Sequence, residues 1–513
     1  LSGLVGSEMC IRDRLTTGIG NIGIGYGSIQ SASSGSYNVG IGSYALYNGN
    51  TSCVVAIGNQ AARNNTASNM VAIGASALFV NSGVGNTAIG HSSLLNNTIG
   101  CYNTTLGYSV ASQITAGSHN VAIGSGRVCQ GYPTPYNTAT LGLNVTGYRN
   151  VAIGVGSLFA NKTSDNIGVG VGTLNKNSYG TKNVAIGTAS LAGNSTGVCN
   201  IGIGHRSLTY NIYGGCNVAI GASDTLGANT SGGANIGIGV ALICNRYGDH
   251  NVALGRSALY SNIGGCGNIA LGRRSLANNT YGSYNIAMGR GAMYCNTNGN
   301  FNVAIGRSAL YSNTNSNASV AVGWRALVNS TSEQPNVAIG SSSMYTNTVG
   351  YSNTAVGNSS LYNNNTGCRN VAVGQAALYN NVNGYNSVAI GYYAGNNFTY
   401  SNQIAVGANA ITSNNYNHTV WGNAANNVYN CVWSNWQTVS DCRDKICIEP
   451  IPTNLGLPFI KRLNPVSFNW DNRQSYVDKC KYEFGQKDGT LSGSTKEYGI
   501  IAQEVEEVMN DLG

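Results

Sequence analysis

The sequence predicts a mainly β protein, in which a parallel β-solenoid (β-roll) of about 24 coils of 16–17 residues precedes a small α+β domain. Three observations indicate this fold class. The phrase Asn-Val-Ala-Ile-Gly, or a close variant, recurs from Asn21 onward and ends on 24 glycines. The repeat is too short for a pair of helices, and Val-Ala-Ile favours strands. After position 430 the repeat stops and the composition becomes that of an ordinary domain.

The composition excludes an average soluble enzyme and a disordered chain. Charged residues make up 9% of the 513 residues, whereas about 25% is usual. Gly and Pro number 71 and 7 of the 513 residues. Together they make up about 15% of the chain, which is below the roughly 25–30% that is typical of low-complexity disordered chains. Residues 1–430 contain 17 Lys and Arg against 6 Asp and Glu, and residues 431–513 contain 9 against 12, for a net charge of +8. We therefore expect a domain boundary near position 430.

The first 14 residues share nothing with the repeats, and we expect them to be a non-native leader that stands in place of the true N-terminus. The sequence shows no signal-peptide pattern and no apolar run of about 18 residues that predicts a membrane span. The predicted segments are therefore a leader at 1–14, a β-solenoid rod at 15–422, a linker with a cleavage site at 423–439 and a C-terminal domain at 440–513.

Each repeat is expected to form one coil of the solenoid. Alternation along the strand puts Val303 and Ile305 on one face and Ala304 on the other, and Leu310 then supplies a second inward anchor. The Gly that ends each phrase is expected at a corner with positive φ or at a close approach of two backbones. The spacing is irregular between the copies that end at Gly142 and Gly154, and a weaker copy ends at Gly422.

Asn recurs at two further positions of the coil, at the start of the strand and seven residues after the Gly. At a coil spacing of about 4.8 Å, stacked amides can form hydrogen-bonded ladders along a rod on the order of 115 Å long. We interpret both sets as scaffold. The first set is Asn251, Asn268, Asn285, Asn302, Asn336, Asn353 and Asn370, and the second is Asn262, Asn279, Asn296, Asn313, Asn347, Asn364 and Asn381.

The repeat resembles the head repeat of trimeric autotransporter adhesins, whose left-handed parallel β-rolls assemble as trimers, and the similar repeats of viral tail fibres. The resemblance covers about 400 residues, although the coil here is longer than the adhesin repeat. It implies that the small Ala between Val and Ile lets three chains approach closely, so that the trimer is structural.

Five separated motifs mark the C-terminal domain. They are SDCRDK at 440–445, IEPI at 448–451, GLPFIKRL at 456–463, NPVSFNW at 464–470 and GIIAQEV at 499–505. In this order they resemble the endosialidase-type intramolecular chaperone, a self-cleaving peptidase family of phage tail spikes and fibres. The resemblance implies a domain that holds three chains together during folding and then releases itself. The family continues its last helix beyond the position of Gly513, which implies that the domain is truncated.

Secondary structure is also expected within this domain. Residues 456–463 read as a short amphipathic helix and Val466 to Trp470 as a strand. An apolar seam at helical spacing follows, and it suits the packing of helices between chains. The seam consists of Ile501, Val505, Val508 and Leu512.

The resemblance places the family's catalytic pair on Ser440 and Lys445 and the cleaved bond between Val439 and Ser440. A Ser hydroxyl needs a base to take its proton, and a Lys is such a base only when burial lowers its pKa. Ser440 would attack the carbonyl of Val439, and water would hydrolyse the resulting ester, so each chain cuts once. Without the motif, Ser440 and Asp441 would read as a helix or turn cap. We expect Asp441 and Arg443 to be structural supports.

Two rows of side chains make the rod a candidate glycan-binding surface. The first row consists of four Arg that each follow the Gly of their coil, and the second of Tyr five residues after the Gly, among them Tyr294 and Tyr311. Aligned like charges repel, and an anionic glycan or lipopolysaccharide phosphate would relieve that repulsion. The alternative is that repeat duplication copied both rows, whose stems and rings cover the Leu core. The cations are Arg256, Arg273, Arg290 and Arg307, and the other Tyr are Tyr260, Tyr345, Tyr362 and Tyr379.

Other signals stay weak. The 14 Cys are scattered without a Cys-x-x-Cys, so we expect buried free thiols, although Cys199 and Cys216 lie one coil apart and a bridge between them is an alternative. The five His are dispersed, and neither a metal site nor a cofactor is expected. The only acids from 15 to 430 lie far apart or at different coil positions, which does not favour a glycosidase pair. These acids are Asp165, Asp224, Asp249 and Glu333.

The sequence therefore predicts a homotrimeric viral, phage-type tail fibre or adhesin shaft with a self-cleaving intramolecular chaperone. It would be assembled in the host cytoplasm and located in the virion, without nucleic-acid binding or membrane insertion. The alternatives are a non-viral trimeric adhesin of the cell surface, a glycan depolymerase tail spike, and a membrane-bound or transcription-factor host of the same chaperone.

Overall fold

The structure is a computed structural model of the chain. It describes residues 17–31, 33–48, 50–126, 139–222, 224–242, 244–331, 333–397, 401–411, 418–423, 427–431, 462–463, 466–471 and 492–499. The chain divides into two compact units, Leu1–Val432 and Trp433–Gly513. Each unit is described by itself.

The described residues contain 29 strands, most of them three residues long. They are β1 (Ile22–Ile24), β2 (Val39–Ile41), β3 (Val54–Ile57), β4 (Asn64–Asn65), β5 (Met70–Ile73), β6 (Val80–Asn81), β7 (Thr87–Ile89), β8 (Thr104–Leu106), β9 (Val121–Ile123), β10 (Val151–Ile153), β11 (Ile167–Val169), β12 (Val184–Ile186), β13 (Ile201–Ile203), β14 (Val218–Ile220), β15 (Ile236–Ile238), β16 (Val252–Leu254), β17 (Ile269–Leu271), β18 (Ile286–Met288), β19 (Val303–Ile305), β20 (Val320–Val322), β21 (Val337–Ile339), β22 (Thr354–Val356), β23 (Val371–Val373), β24 (Val388–Ile390), β25 (Ile404–Val406), β26 (His418–Gly422), β27 (Asn427–Cys431), β28 (Val466–Asp471) and β29 (Ser492–Gly499).

The predicted parallel β-solenoid is confirmed. Successive repeat strands pair in parallel with equivalent residues opposite one another, as Ala253, Ala270 and Ala287 do in β16, β17 and β18. These strands belong to one sheet of 25 strands. Its last parallel member, β26, pairs with β25 on one side and in antiparallel fashion with β27 on the other. The weak repeat copy at Gly422 therefore continues the stack.

The phrase that ends at Gly142 is not a separate coil, contrary to the sequence-based expectation. Residues 139–143 form a turn, and β9 pairs directly with β10, with Val121 opposite Val151. Leu141 is fully buried and its N–H donates to Ser157 O at 2.9 Å, so it takes the place that Leu158 has in the next coil. The irregular spacing therefore reflects one long coil that begins at β9.

The Ala side chains of the strands face the core of the coil, whereas the expected trimer contact requires them to face neighbouring chains. Ala304 is fully buried in the core, whereas Ile305 is 38% exposed and Val303 is half-buried. Leu310 is an inward anchor as expected. The core is thus made of small strand residues and turn Leu side chains, and the apolar Val and Ile side chains face outward. The idea that Ala lines a contact between chains is wrong.

The interior is narrow, which explains the Ala. At Gly237, which occupies the position of Ala304 in its own coil, an added Cβ would lie 3.4 Å from Leu226 Cγ of the preceding coil. One methyl group therefore fills the space between strand and Leu, and a larger side chain would overpack the core. The Leu itself has a left-handed backbone, with φ of 49° at Leu310. Leu at this position avoids the added cost that a β-branched residue has at positive φ.

The Gly at the end of each phrase has the expected positive φ and close backbone approach. At Gly272 φ is 125°, and an added Cβ would lie 2.9 Å from the carbonyl carbon of Gly289 in the next coil. Because the neighbouring atoms are backbone atoms of an equally constrained corner, they have little freedom to move. Glycine is therefore required where coils stack at this corner.

Both predicted Asn ladders are present and buried. The N–H and Nδ2 of Asn285 donate to Asn268 Oδ1 at 3.0 and 3.1 Å, and Nδ2 also donates to Gly299 O at 2.8 Å. In the second ladder, Asn296 Nδ2 donates to Asn279 Oδ1 at 2.6 Å. Each amide thereby provides hydrogen-bond partners for buried polar groups of the neighbouring coils, and buried polar groups need such partners.

In the second unit, β28 and β29 form an antiparallel pair with Val466 opposite Gly499. The strand expected from Val466 to Trp470 is confirmed, whereas β29 had no prediction. Residues 456–461 of the expected helix and the whole apolar seam from Ile501 to Leu512 lie outside the described residues.

Candidate functional site

The candidate catalytic pair, Ser440 and Lys445, and the candidate cleavage bond after Val439 lie outside the described residues. The described strands of this unit are β28 and β29, and both come after the SDCRDK motif in the chain. The assignment of these residues therefore remains a prediction that depends on the motifs.

The four Arg of the first row occupy consecutive coils and are all exposed. The carbonyl oxygen of each accepts a hydrogen bond at 3.0 Å from the backbone N–H of the next coil, so their backbones are stacked in register. Among the described residues, none of the four takes part in an ion pair. The structure thus places four unpaired cations along one edge of the rod, from Arg256 to Arg307.

The Tyr row is a set of stacked rings. Tyr294 and Tyr311 have ring centroids 5.1 Å apart, and the pairs Tyr345–Tyr362 and Tyr362–Tyr379 lie at 5.1 and 5.0 Å. Burial is the main cause that raises the pKa of Tyr311 above its usual value. Offset stacking of aromatic rings is favourable in itself, so this row contributes to the scaffold as well as presenting ring faces.

Two further cations, Arg274 and Arg325, lie beside the Tyr row, and neither was predicted from the sequence. The Arg325 guanidinium carbon lies 5.9 Å from the Tyr345 ring centroid, and Arg274 lines a groove of about 290 Å³ with Tyr260 and Tyr294. Both coils lack the row Tyr and have Ala277 or Val328 in its place. In the sequence, these cations could have been recognised as an Arg two residues after the Gly in the coils that lack the row Tyr.

Three of the four acids of the rod have structural partners. Asp165 Oδ1 accepts from Arg149 Nε at 2.6 Å, and this hydrogen bond raises the pKa of the Arg149 guanidinium. Asp224 pairs with Arg206 at 3.1 Å, and Asp249 Oδ1 accepts from the N–H of Gly233 at 2.6 Å. None of these contacts joins two carboxyl groups, and they give no support to a glycosidase pair.

The eight Cys whose side chains the structure describes are free thiols, including Cys199 and Cys216. The expectation of buried thiols is wrong for all eight, because Cys53, Cys199 and Cys216 are exposed and the other five are partly exposed. No group of three His, Cys, Asp or Glu side chains suited to a metal ion occurs among the described residues. Within the same ranges, no helix has the length and apolarity needed to cross a membrane.

No curated protein and no solved structure matches this chain. One family model does match, and it covers residues 440–513. Its description is chaperone of endosialidase, peptidase S74. The matched segment begins at Ser440, the residue at which the five motifs begin, and comes after the β-solenoid unit in the chain. Residues 440–513 are therefore similar to the chaperone-of-endosialidase family.

Proposed function

We propose that this chain is the shaft of a homotrimeric, phage-type tail fibre, and that residues 440–513 chaperone its folding and then cut the chain before Ser440. The observation that carries the proposal is the family match directly after a long parallel solenoid. Each coil depends on its neighbours for stability, and unpaired strand edges are exposed until the stack is complete. A domain that holds the chains together during that slow step addresses this difficulty.

Deletion of residues 440–513 before folding is expected to convert the rod into aggregate, with at least about a tenfold loss of soluble trimer. The measurement is the soluble yield and the mass by light scattering. As the control, a protease site placed after residue 439 removes the same segment from the mature protein, which should stay a soluble trimer. Soluble trimeric rods from a chain that never carried the segment would contradict the chaperone role.

Large apolar side chains on the outer face of the sheet support the assembly of several chains through this face. The third residue of most repeat strands is a large apolar side chain that is 36–44% exposed, such as Ile305 at 38%, Ile339 at 40% and Ile390 at 44%. Stacked at about 4.8 Å, these residues extend along a face on the order of 100 Å long. Apolar patches of such size on a rod mark contact surfaces. We infer that two further copies of the chain cover this face, because three identical rods present identical rows at the same spacing.

Replacing Ile305, Ile339 and Val373 together by Asp is expected to shift the trimer towards monomer. Each side chain would lose about 1 kcal/mol of apolar burial, and buried charges would add to that cost. The check is molar mass by light scattering over a range of concentrations. Val349→Asp is the matched control, because Val349 is 53% exposed in a turn outside the strands. A triple variant that stays trimeric at every concentration would rule out this face.

We also propose that the rod takes part in attachment to an anionic glycan or lipopolysaccharide of the host surface. The four exposed, unpaired Arg from Arg256 to Arg307 support this role, and the ring faces of Tyr294 and Tyr311 lie in the neighbouring row. A non-viral adhesin would use the same surface, and the genes next to this one would distinguish it from a virion protein.

A further inference from the structure

A second surface of the rod, remote in sequence from the Arg edge, forms a groove of about 700 Å³. Its floor is a continuous backbone ladder along the rod. The N–H of Ser178 donates to Ser195 O at 3.1 Å, that of Ser195 to Ile212 O at 3.2 Å, that of Ile212 to Thr230 O at 3.0 Å and that of Thr230 to Arg246 O at 3.1 Å. Five successive coils therefore contribute to the floor, which spans about 19 Å at about 4.8 Å per coil.

One wall of the groove alternates large and small side chains. Lys176 and Tyr210 lie two coils apart, and Gly193 lies between them. The N–H of Lys176 donates to Ala192 O at 3.0 Å and that of Gly193 to Thr209 O at 2.7 Å, which fixes the three residues side by side. Gly193 leaves a notch next to Tyr210, whose side chain is 55% exposed. The Tyr210 ring is therefore accessible from the notch.

The two ends of the groove are cationic. Lys176 lies at one end and Arg246 at the other, and both are exposed. Neither is in an ion pair with a described residue, since the two ion pairs of the rod join Arg149 to Asp165 and Arg206 to Asp224. No acidic residue lines the groove. The charge of the groove is therefore carried by two cations, one at each end.

We propose that this groove binds a linear acidic oligosaccharide that lies along the rod axis across the five coils. Lys176 and Arg246 form charge-assisted hydrogen bonds with carboxylate or sulfate groups at its two ends. Tyr210 stacks against a sugar ring in the middle. The Ser195 hydroxyl exchanges hydrogen bonds with sugar hydroxyls, and Thr230 Oγ1, which donates to Arg246 O at 2.9 Å, accepts from them. This inference rests on the proposed attachment function and gives it a site distinct from the Arg edge.

The groove fits a saccharide better than a nucleic acid. Single strands of nucleic acid are bound by a series of aromatic side chains on which successive bases stack and by cations that follow every phosphate. Here one ring, Tyr210, and two cations four coils apart face a floor that carries the hydroxyls of Ser178, Ser195 and Thr230 and one apolar side chain, Ile212. That arrangement suits a ligand that presents hydroxyls and apolar ring faces along its length, with acidic groups opposite the two cations.

The test uses the full chain and a fluorescently labelled oligogalacturonate, with anisotropy as the measure of affinity. The variant Lys176→Gln/Arg246→Gln is expected to weaken binding at least about tenfold, and Tyr210→Ala about fivefold. The matched control, Lys182→Gln/Arg369→Gln, removes the same charge from two exposed cations outside the groove and the Arg edge, and should change affinity less than about twofold. Unchanged thermal unfolding by circular dichroism shows that each variant remains folded.

Three results would contradict the proposal that this groove binds an acidic oligosaccharide. They are an equal loss of affinity in the control variant, equal binding of a neutral dextran oligomer, and tighter binding of a labelled oligothymidylate. If a chain that still trimerises binds no oligogalacturonate, the proposed binding role of the groove is also contradicted. The proposed shaft and chaperone function would remain intact. Failure of that function is seen separately, as loss of trimer by light scattering.

Discussion

Replacing Ser440 by Ala, or Lys445 by Ala, is expected to leave the chain uncut at the Val439–Ser440 bond in a protein that carries the complete chaperone domain. In the proposed reaction, the Ser440 Oγ attacks the Val439 carbonyl carbon as Lys445 takes the hydroxyl proton. The Val439–Ser440 peptide bond breaks, its nitrogen leaves as the new amino terminus, and water then hydrolyses the ester. Loss of the nucleophile or of the base in such pairs slows the reaction by about 10⁴-fold or more.

The measurement is a denaturing gel with mass spectrometry of the fragments. The unchanged sequence should give a rod that ends at Val439 and a released segment that begins with Ser440. Ser434→Ala and Lys481→Ala are matched controls that change the same residue types outside the five motifs and should leave cleavage intact. Fragments of the same mass and amount in the Ser440 and Lys445 variants would refute the dyad.

Replacing Asn285 by Leu is expected to lower the free energy of unfolding of the surrounding coils by roughly 3–6 kcal/mol, because several buried groups lose their partners at about 1–3 kcal/mol each. Asn268 Oδ1 and Gly299 O would lose the Asn285 amide donor. The N–H and Nδ2 of Asn302 would lose the Asn285 Oδ1 acceptor, to which they now donate at 3.0 and 3.1 Å.

Because a solenoid is stabilised coil by coil, the effect is expected to be local. Hydrogen exchange should show faster exchange in the strands around β18 and little change many coils away. The control is Asn298→Leu, since Asn298 is an exposed Asn in the turn that follows Asn285. If both variants exchange alike, the buried ladder has no special role in stability.

Much of the rod could be predicted from the sequence because a repeat of about 17 residues leaves few alternatives. The constant phrase Asn-Val-Ala-Ile-Gly predicts strands in register, as the pairing of Val303 with Val320 confirms. The positive φ at Gly306 and the two Asn ladders also follow from residue type and spacing. The family of the C-terminal domain was evident from motifs alone. The two extra cations, Arg274 and Arg325, were also visible as interruptions of the Tyr row, but they were overlooked.

The direction of the side chains was decided only by the tertiary structure. Alternation along a strand states that Ala304 and Ile305 face opposite ways, and it does not state which way is inward. That depends on the width of the coil, which is set by turns in which residues such as Ser308 and Leu310 adopt a left-handed backbone. In a coil this narrow, a methyl group and a Leu side chain fill the core. Val and Ile are therefore left on the outside, where they form the surface through which we propose that the rods assemble.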